Sequence, residues 1–384
     1  LKGFILGGNA CAINHKTKEI IQYAYPIDLT LLNRSKLVQI IEECIKAIND
    51  AFKKRYGYYI WFKEVSFKSF INGSSKHLFN QRISDDWFLK YKKIIGDIDI
   101  MFPEEYSEKL FNLLKELENK QITKDIKYIG QKKESCYGQI NSVFNINNEF
   151  YPQIDFEPVK FVEGEPLDFY KFSHSSDFRD IELGIKGVAH KYLLMNLVRS
   201  ISDAPDIKVL QKSSGITKNT LKLSKSFKEK RLLAFSITNG LREKYKKVCT
   251  IDNIDYYKEL ETSESNYITN KQEIFKKIFP DLKNYSNYFE SYFGLINLIN
   301  ESSSINDDIK FKIFENMFNQ LWGNSAQGLV RNNPNEDFQI KMKIFNYLQD
   351  HLYLFDKDKS INYILDVMQI ADYYKNYKMV SIDE

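Results

Sequence analysis

The residues whose types and spacing could do chemistry are three aspartates and a glycine-serine turn. Asp97 and Asp99 sit one residue apart in Ile94-Ile95-Gly96-Asp97-Ile98-Asp99-Ile100, and Asp155 follows in Tyr151-Pro152-Gln153-Ile154-Asp155-Phe156. Both stretches are apolar around their acids, as strands are. Side chains alternate across a strand with period two, so Asp97 and Asp99 share a face, their Cα atoms roughly 6–7 Å apart. Two carboxylates that close on a buried strand are costly without a cation, and oxygen ligands of this kind suit Mg²⁺ or Mn²⁺ and not zinc. Upstream, Ile71-Asn72-Gly73-Ser74-Ser75 puts a tight turn at the start of a helical stretch, where backbone N–H groups can meet an anion such as a triphosphate. Together these residues predict a metal-dependent site that handles nucleotides.

Nucleotidyl transfer needs an attacking hydroxyl deprotonated and a pyrophosphate leaving group neutralised. Two ions about 3.5–4 Å apart, held by carboxylates, can do both. Asp97 and Asp99 are expected to bridge the ions and the triphosphate oxygens, and Asp155 to complete the ion that activates the hydroxyl. Gly73, Ser74 and Ser75 are expected to cradle the outer phosphates. An isolated Asp-x-Asp or Gly-Ser is commonplace; the ordered series of strand, Gly-Ser, helix, strand, Asp-x-Asp and a later strand aspartate is far more selective. Lys186 and Lys191, on a helix after this series, are further candidates for binding the nucleotide; the alternative is a solvated helix face. His190 reads as a helix-surface or packing residue, and His174 lies in a polar loop. The stretch Lys208–Lys230 either tracks a phosphate backbone or is a solvated linker. Tyr256-Tyr257 could offer stacking faces, and Trp322 fits core packing. Gly7-Gly8-Asn9-Ala10 lacks the spacing of a dinucleotide fingerprint.

The elements that must position these residues are legible as periodicities. Residues 28–56, with Asp28 or Thr30 as caps, carry an apolar stripe at spacings of three and four and predict an amphipathic helix. Val65–Ile71 alternates as a strand. Ser75–Lys93 reads mostly helical, with a break around Ser84-Asp85-Asp86. Ile94–Phe102 is a strand, Pro103-Glu104-Glu105 opens a helix through Leu117, and Ile126–Ile129, Gln139–Ile146 and Phe150–Phe161 are further strands. Asn147-Asn148 is a hairpin turn. Gly184–Ser202 is a helix, Leu232–Val248 a hairpin turning at Asn239-Gly240, and helical periodicity dominates from about Asn270. The fold class expected is α+β: a mixed-sheet catalytic core over residues 1–165, a helix, Lys-rich segment and hairpin as cleft wall over 166–260, and a helical domain over 261–384.

The series Gly73-Ser74, Gly96-Asp97-Ile98-Asp99 and Gln153-Ile154-Asp155 resembles the DNA polymerase β-type nucleotidyltransferase superfamily. The nearest likeness is to nucleotidyltransferases of large tailed bacteriophages, which similarly carry a segment like Gly7-Gly8-Asn9-Ala10, a Gly-Asp-Ile-Asp block and a helix like Lys186-Gly187-Val188-Ala189-His190-Lys191. The resemblance covers roughly residues 3–202. It implies a nucleotidyltransferase core that uses Mg²⁺ and an NTP, and for a phage protein a location in the host cytoplasm. The interval from Ser74 to Asp97 exceeds the superfamily's usual spacing; an added helical turn or two over Gln81–Lys93 accounts for it if that segment loops out.

Composition sets wider bounds. The 384 residues are 43% hydrophobic, enough for two or three folded domains. Lys and Arg total 55 against 51 Asp and Glu, so a nucleic-acid partner would have to be met by local clustering of charge. The four cysteines form no CxxC pair, which argues against a zinc site or a disulfide scaffold and fits a reducing cytoplasm. No apolar run is long enough to span a bilayer, and the first residues lack the features of a signal peptide. The reading is transfer of a nucleoside monophosphate to a hydroxyl of RNA, tRNA or another nucleic acid, since the chain is larger than a small acceptor needs. The alternatives are an Asp-x-Asp glycosyltransferase and a non-catalytic nucleotide- or RNA-binding protein of the same fold.

Overall fold

The computed structural model describes residues 11–14, 17–61, 67–131, 138–174, 177–185, 187–201, 208–209, 228–236, 239–251, 254–283 and 291–322. They belong to two compact units, residues 1–183 and 184–384. Within the first, a β1–β2 hairpin (Cys11–Ile13, Ile20–Tyr23) precedes the two-residue β3 (Ile27–Asp28) and helix α1 (Arg34–Tyr56). The cap of α1 is Asn33, whose side chain accepts from Lys36 N, and not Asp28 or Thr30. Asp28 instead accepts from the N–H and hydroxyl of Thr30, an Asx turn that closes β3 before the helix begins. The stripe Leu37, Ile41, Cys44, Ile45, Ile48 and Phe52 is buried as its spacing requires.

The chain then narrows to β4 (Ile71–Asn72). Where the alternation of Val65–Ile71 suggests a longer strand, residues 62–66 are not described and Phe67–Phe70 is a 3₁₀ turn. That turn sinks Phe70 into the core against Trp61 and Phe161, leaving Ile71 and Asn72 to pair. A 3₁₀ helix over Gly73–Phe79 follows, and Ser84 caps the short α2 (Asp85–Tyr91) at the expected break. The expected strand Ile94–Phe102 divides at Gly96. β5 (Ile94–Ile95) pairs with β3, and β6 (Asp97–Pro103) enters the central sheet. After a 3₁₀ turn over Glu104–Tyr106 come α3 (Ser107–Leu117), β7 (Ile126–Gln131), β8 (Ile140–Ile146) and β9 (Gln153–Val159). Asn147 and Asn148 turn the β8–β9 hairpin with φ of 52° and 59°, and Glu149 N–H donates to Ile146 O at 3.0 Å.

The sheet order is β4-β6-β9-β8-β7, with β6 and β9 parallel and every other neighbour antiparallel. One face carries Ile98, Ile100, Ile154 and Phe156, which pack with Leu37 and Ile41 of α1 and with Leu110 and Leu114 of α3 in a single cluster. The hairpin β10–β11 (Phe161–Val162, Glu165–Pro166), α4 (Asp168–Ser173) and α5 (Phe178–Glu182) end the unit. The expected α+β class holds.

In the second unit, α6 (Gly187–Ser200) precedes a four-stranded sheet of order β12-β15-β14-β13. Its strands are β12 (Lys208–Val209), β13 (Lys228–Ser236), β14 (Gly240–Ile251) and β15 (Ile254–Glu264). The hairpin expected at Asn239-Gly240 is β13–β14, in register from Ser236↔Gly240 outward. Strand β15 was not expected, because its charged and tyrosine-rich sequence lacks apolar alternation. From Asn270 the described residues form only helices: α7 (Lys271–Ile278), α8 (Tyr292–Glu301) and α9 (Asp307–Trp322). No helix of the described residues is long and apolar enough to cross a membrane.

Arg34 fastens the excursion between β4 and β5 to α1. Its guanidinium donates to the carbonyls of Leu78 (2.8 Å), Asn80 (2.6 Å) and Ile83 and stacks on Phe88. Leaving buried carbonyls without donors costs about 1–3 kcal/mol each. Arg34→Ala is therefore expected to destabilise the first unit by about 2–3 kcal/mol, read as a lower urea midpoint by the fluorescence of Trp61 and Trp87. An unchanged midpoint would assign Arg34 no such role.

Candidate metal centre

Strands β6 and β9 lie side by side in parallel register, with Asp97 opposite Gln153 and Asp99 opposite Asp155. Period-two alternation then puts Asp97, Asp99, Gln153, Asp155 and Glu157 on the face away from Ile98, Ile100, Ile154 and Phe156. Asn72 of β4 is opposite Asp99, and Asn141 of β8 is opposite Asp155. Carboxylate oxygens of Asp97, Asp99 and Asp155 all come within 4.8 Å of one another. The three aspartates singled out in the sequence are thus brought together on one face.

The polar strip runs between two apolar clusters. At one end Met101, Val159, Leu167 and Tyr170 pack together, and at the other Ala12, Ile129 and Val143. Asp155 is buried between them and Asp97 and Asp99 are half-buried, so the like charges act on each other more strongly than in open water. Burial, followed by the charges of Glu157, Asp97 and Asp155, pushes the Asp99 carboxyl well above the usual range, while Lys92 pulls it down. Asp155 is pushed up to about 7 by burial and by Asp97, against hydrogen bonds from Asn141 and Gln153. Gln153 Nε2 donates to both Asp155 oxygens, at 2.8 and 2.7 Å. Glu157 is also pushed up to about 7, by burial and then by Asp155, with Tyr170 and Asn72 pulling the other way.

The Gly-Ser turn meets this strip directly. Gly73 has φ of +57°, and a Cβ there would lie 2.1 Å from Asp99 Oδ2. Both the left-handed backbone and the carboxylate pressed against it demand glycine. Ser75 is fully buried; its hydroxyl donates to Asn72 O at 2.8 Å and accepts from Asp99 N at 3.2 Å, so it staples the turn to β6. Ser74 stays half-buried. The long interval from Ser74 to Asp97 does loop out: despite α2, the chain returns with Asn72 paired to Asp99.

The remaining candidates are placed differently. Lys186 and Gly7-Gly8-Asn9-Ala10 lie outside the described residues, as do Lys212, Lys218, Lys222 and Lys225. Lys191 is half-buried on α6 of the second unit, and His190 is fully buried there. His174 stacks on Tyr170, centroids 4.1 Å apart, with Nδ1 2.9 Å from Ser173 Oγ. Sequence reasoning missed Glu157, Gln153, Asn72, Tyr170 and Lys92 as neighbours of the aspartates. The signal for two of them was present, since Gln153, Asp155 and Glu157 alternate with Ile154 and Phe156.

The donor set fits a hard divalent cation: three mutually repelling carboxylates, Asp155 buried and Asp97 and Asp99 half-buried, are what Mg²⁺ or Mn²⁺ binds. The chain matches no protein-family model, no curated protein and no solved structure.

Two outcomes follow for the cation-free protein. The folded carboxyls of Asp155 and Glu157 hold their protons up to about 7, against ordinary values of 3.8 and 4.5. The folded state therefore binds more protons than the unfolded one between those values, and stability falls as pH rises across that window. In EDTA the melting temperature is expected to drop from pH 5 to pH 8, with Mg²⁺ restoring it at pH 8; a flat profile without Mg²⁺ contradicts the burial of these charges. Gly73→Ala is expected to abolish the rise in melting temperature that Mg²⁺ gives wild type, because Asp99 must move from its place.

Proposed function

We propose that the chain is a metal-dependent nucleotidyltransferase of the DNA polymerase β type. It moves a nucleoside monophosphate from an NTP to a hydroxyl, with nucleic acid, RNA or tRNA among them, as acceptor. The observation that carries this reading is the convergence of Asp97, Asp99 and Asp155 from two parallel strands, beside a Gly-Ser turn whose backbone touches Asp99. A lone Asp-x-Asp would not bear it; an acid from a distant strand, in register with the second aspartate, does.

Asp97, Asp99 and Asp155 are the residues that would hold Mg²⁺ or Mn²⁺. The chemistry supplied by such ions is charge neutralisation at phosphoryl oxygens and a lowered pKa for an attacking hydroxyl. The protein's own share is positional. Gln153 and Asn141 hold the Asp155 carboxylate in one orientation. Ser75 and Gly73 hold the turn against Asp99, and Ser74, on the first turn of the 3₁₀ helix, offers a hydroxyl and an N–H to a phosphate. The apolar clusters at either end help to bury Asp155 and half-bury Asp97 and Asp99, which strengthens the charge interactions among them.

The test is incubation with each labelled NTP, Mg²⁺, and total RNA, tRNA, single-stranded DNA or protein. Wild type is expected to label one acceptor, and Asp97→Asn or Asp99→Asn to reduce labelling to background while circular dichroism stays that of wild type. Full activity in either variant removes that residue from the set of ligands. Consumption of a UDP-sugar in place of an NTP would make this an Asp-x-Asp glycosyltransferase, and binding of Mg²⁺–NTP without turnover a non-catalytic nucleotide-binding protein. Lys186→Ala is expected to raise the KM for NTP; an unchanged KM assigns that lysine to the surface.

A further inference from the structure

Beyond the three aspartates, the same face holds a fourth carboxylate that the transfer reaction as described does not use. Glu157 follows Asp155 by two residues on β9, and its register partner on β6 is Met101. It therefore stands one step along the strip from Asp99, and of the neighbouring charges its own acts most strongly on that aspartate. Glu157 is not one of the three acids whose oxygens mutually approach within 4.8 Å. Its Oε2 atom is buried without a hydrogen-bond partner. Asn72, 1% exposed and opposite Asp99, likewise has Nδ2 buried without a partner. Asn72 acts on the Glu157 carboxyl as a hydrogen-bond donor and lowers its proton affinity, yet Nδ2 and Oε2 do not meet in normal hydrogen-bond geometry. Native proteins rarely leave a buried donor and a buried acceptor unsatisfied, and water or an ion beside them is one way such atoms are met.

We propose that Glu157 and Asn72 are positioning residues of the cation site: Glu157 Oε2 accepts from a coordinated water of a divalent ion held by the three aspartates, and Asn72 Nδ2 donates to a carboxylate oxygen of that ligand set, opposite Asp99. The inference rests on the reading of those aspartates as cation ligands. Magnesium and manganese keep several waters when bound by few carboxylates; those waters donate outward to acceptors, while the ligating carboxylates accept from N–H groups around them. A buried acceptor beside a buried donor, just beyond the ligand set, is complementary to that outer sphere. Tyr170 fixes this wall: it packs with Met101 and Val159, and its hydroxyl bonds to Glu157. No bond is made or broken in this role. Glu157 and Asn72 orient, and the aspartates bind.

The experiment measures Mn²⁺ binding to the 384-residue chain by electron paramagnetic resonance of free Mn²⁺, without nucleotide, for wild type, Glu157→Gln, Asn72→Leu and Asp155→Asn. Loss of an outer partner typically weakens metal affinity 10- to 100-fold. Glu157→Gln is expected to weaken Mn²⁺ binding by about tenfold or more, yet to melt no lower than wild type in EDTA, since it keeps the shape and removes a buried charge. Asn72→Leu is expected to weaken Mn²⁺ in the same direction. Unchanged Mn²⁺ affinity in Glu157→Gln overturns the proposal, as does weakened binding accompanied by a lower melting temperature in EDTA, which marks a merely structural residue. Failure of the underlying reading looks different: wild type takes up no Mn²⁺, or Asp155→Asn binds it as tightly as wild type.

Discussion

Strand β9 runs parallel to β6, and on that direction the arrangement of the acids depends. Parallel neighbours keep a constant register, so Asp99 and Asp155 are opposed and Gln153 and Glu157 fall on the same side as their partners. A parallel pair cannot be joined by a tight turn; it requires a crossover. The chain supplies one with α3 and the β7–β8 hairpin, which return it to the far side of β6. Helix α3 does a second thing on the way, covering the apolar face with Leu110 and Leu114. A one-residue slip between β6 and β9 would send Asp155 into that cluster and bring Phe156 to the polar face. The apolar packing of Ile98, Ile100, Ile154 and Phe156 thus enforces the polar geometry on the reverse of the same strands.

What the core enforces, the charges oppose. Burial, and then the charges around them with Asp97 among these, push the carboxyls of Asp99, Asp155 and Glu157 up, while Gln153, Asn141, Tyr170 and Asn72 offset only part of this. Such a strip is a local destabilisation held in place by the packing around it, a balance proteins strike where binding a charged partner matters more than stability. The tight contact between Gly73 and Asp99 belongs to the same balance, since the backbone of the turn closes on the carboxylate without a side chain between them.

Much of this was legible in the sequence, and the reasons are specific. Apolar runs bounded by turn residues announced β6, β8 and β9, and apolar flanks announced the burial of Asp155, whereas Asp97 and Asp99 stay half-buried. Asn147-Asn148 and Asn239-Gly240 marked hairpins because few residues other than glycine and asparagine accept positive φ. Local pattern could not say that β6 and β9 are parallel neighbours, because that is decided by α1 and α3 packing on one face. Nor could it show Ser75 bonding to Asp99 N, or a guanidinium from α1 holding carbonyls more than forty positions away. Strand β15 escaped because its pairing is carried by backbone bonds along β14 and leaves little apolar alternation to read.

The excursion from Phe79 to Lys93 leaves the sheet beside Asp99 and comes back to it without disturbing the pairing of Asn72. Because both its ends are anchored, by Arg34 at the start and by β5 on β3 at the finish, its length is decoupled from the geometry of the acids. Closing a longer loop between fixed ends costs little extra entropy, about 0.6 kcal/mol per doubling. This segment is accordingly a site where the polypeptide can gain or lose residues and acquire new surface while the arrangement of the three aspartates is inherited unchanged.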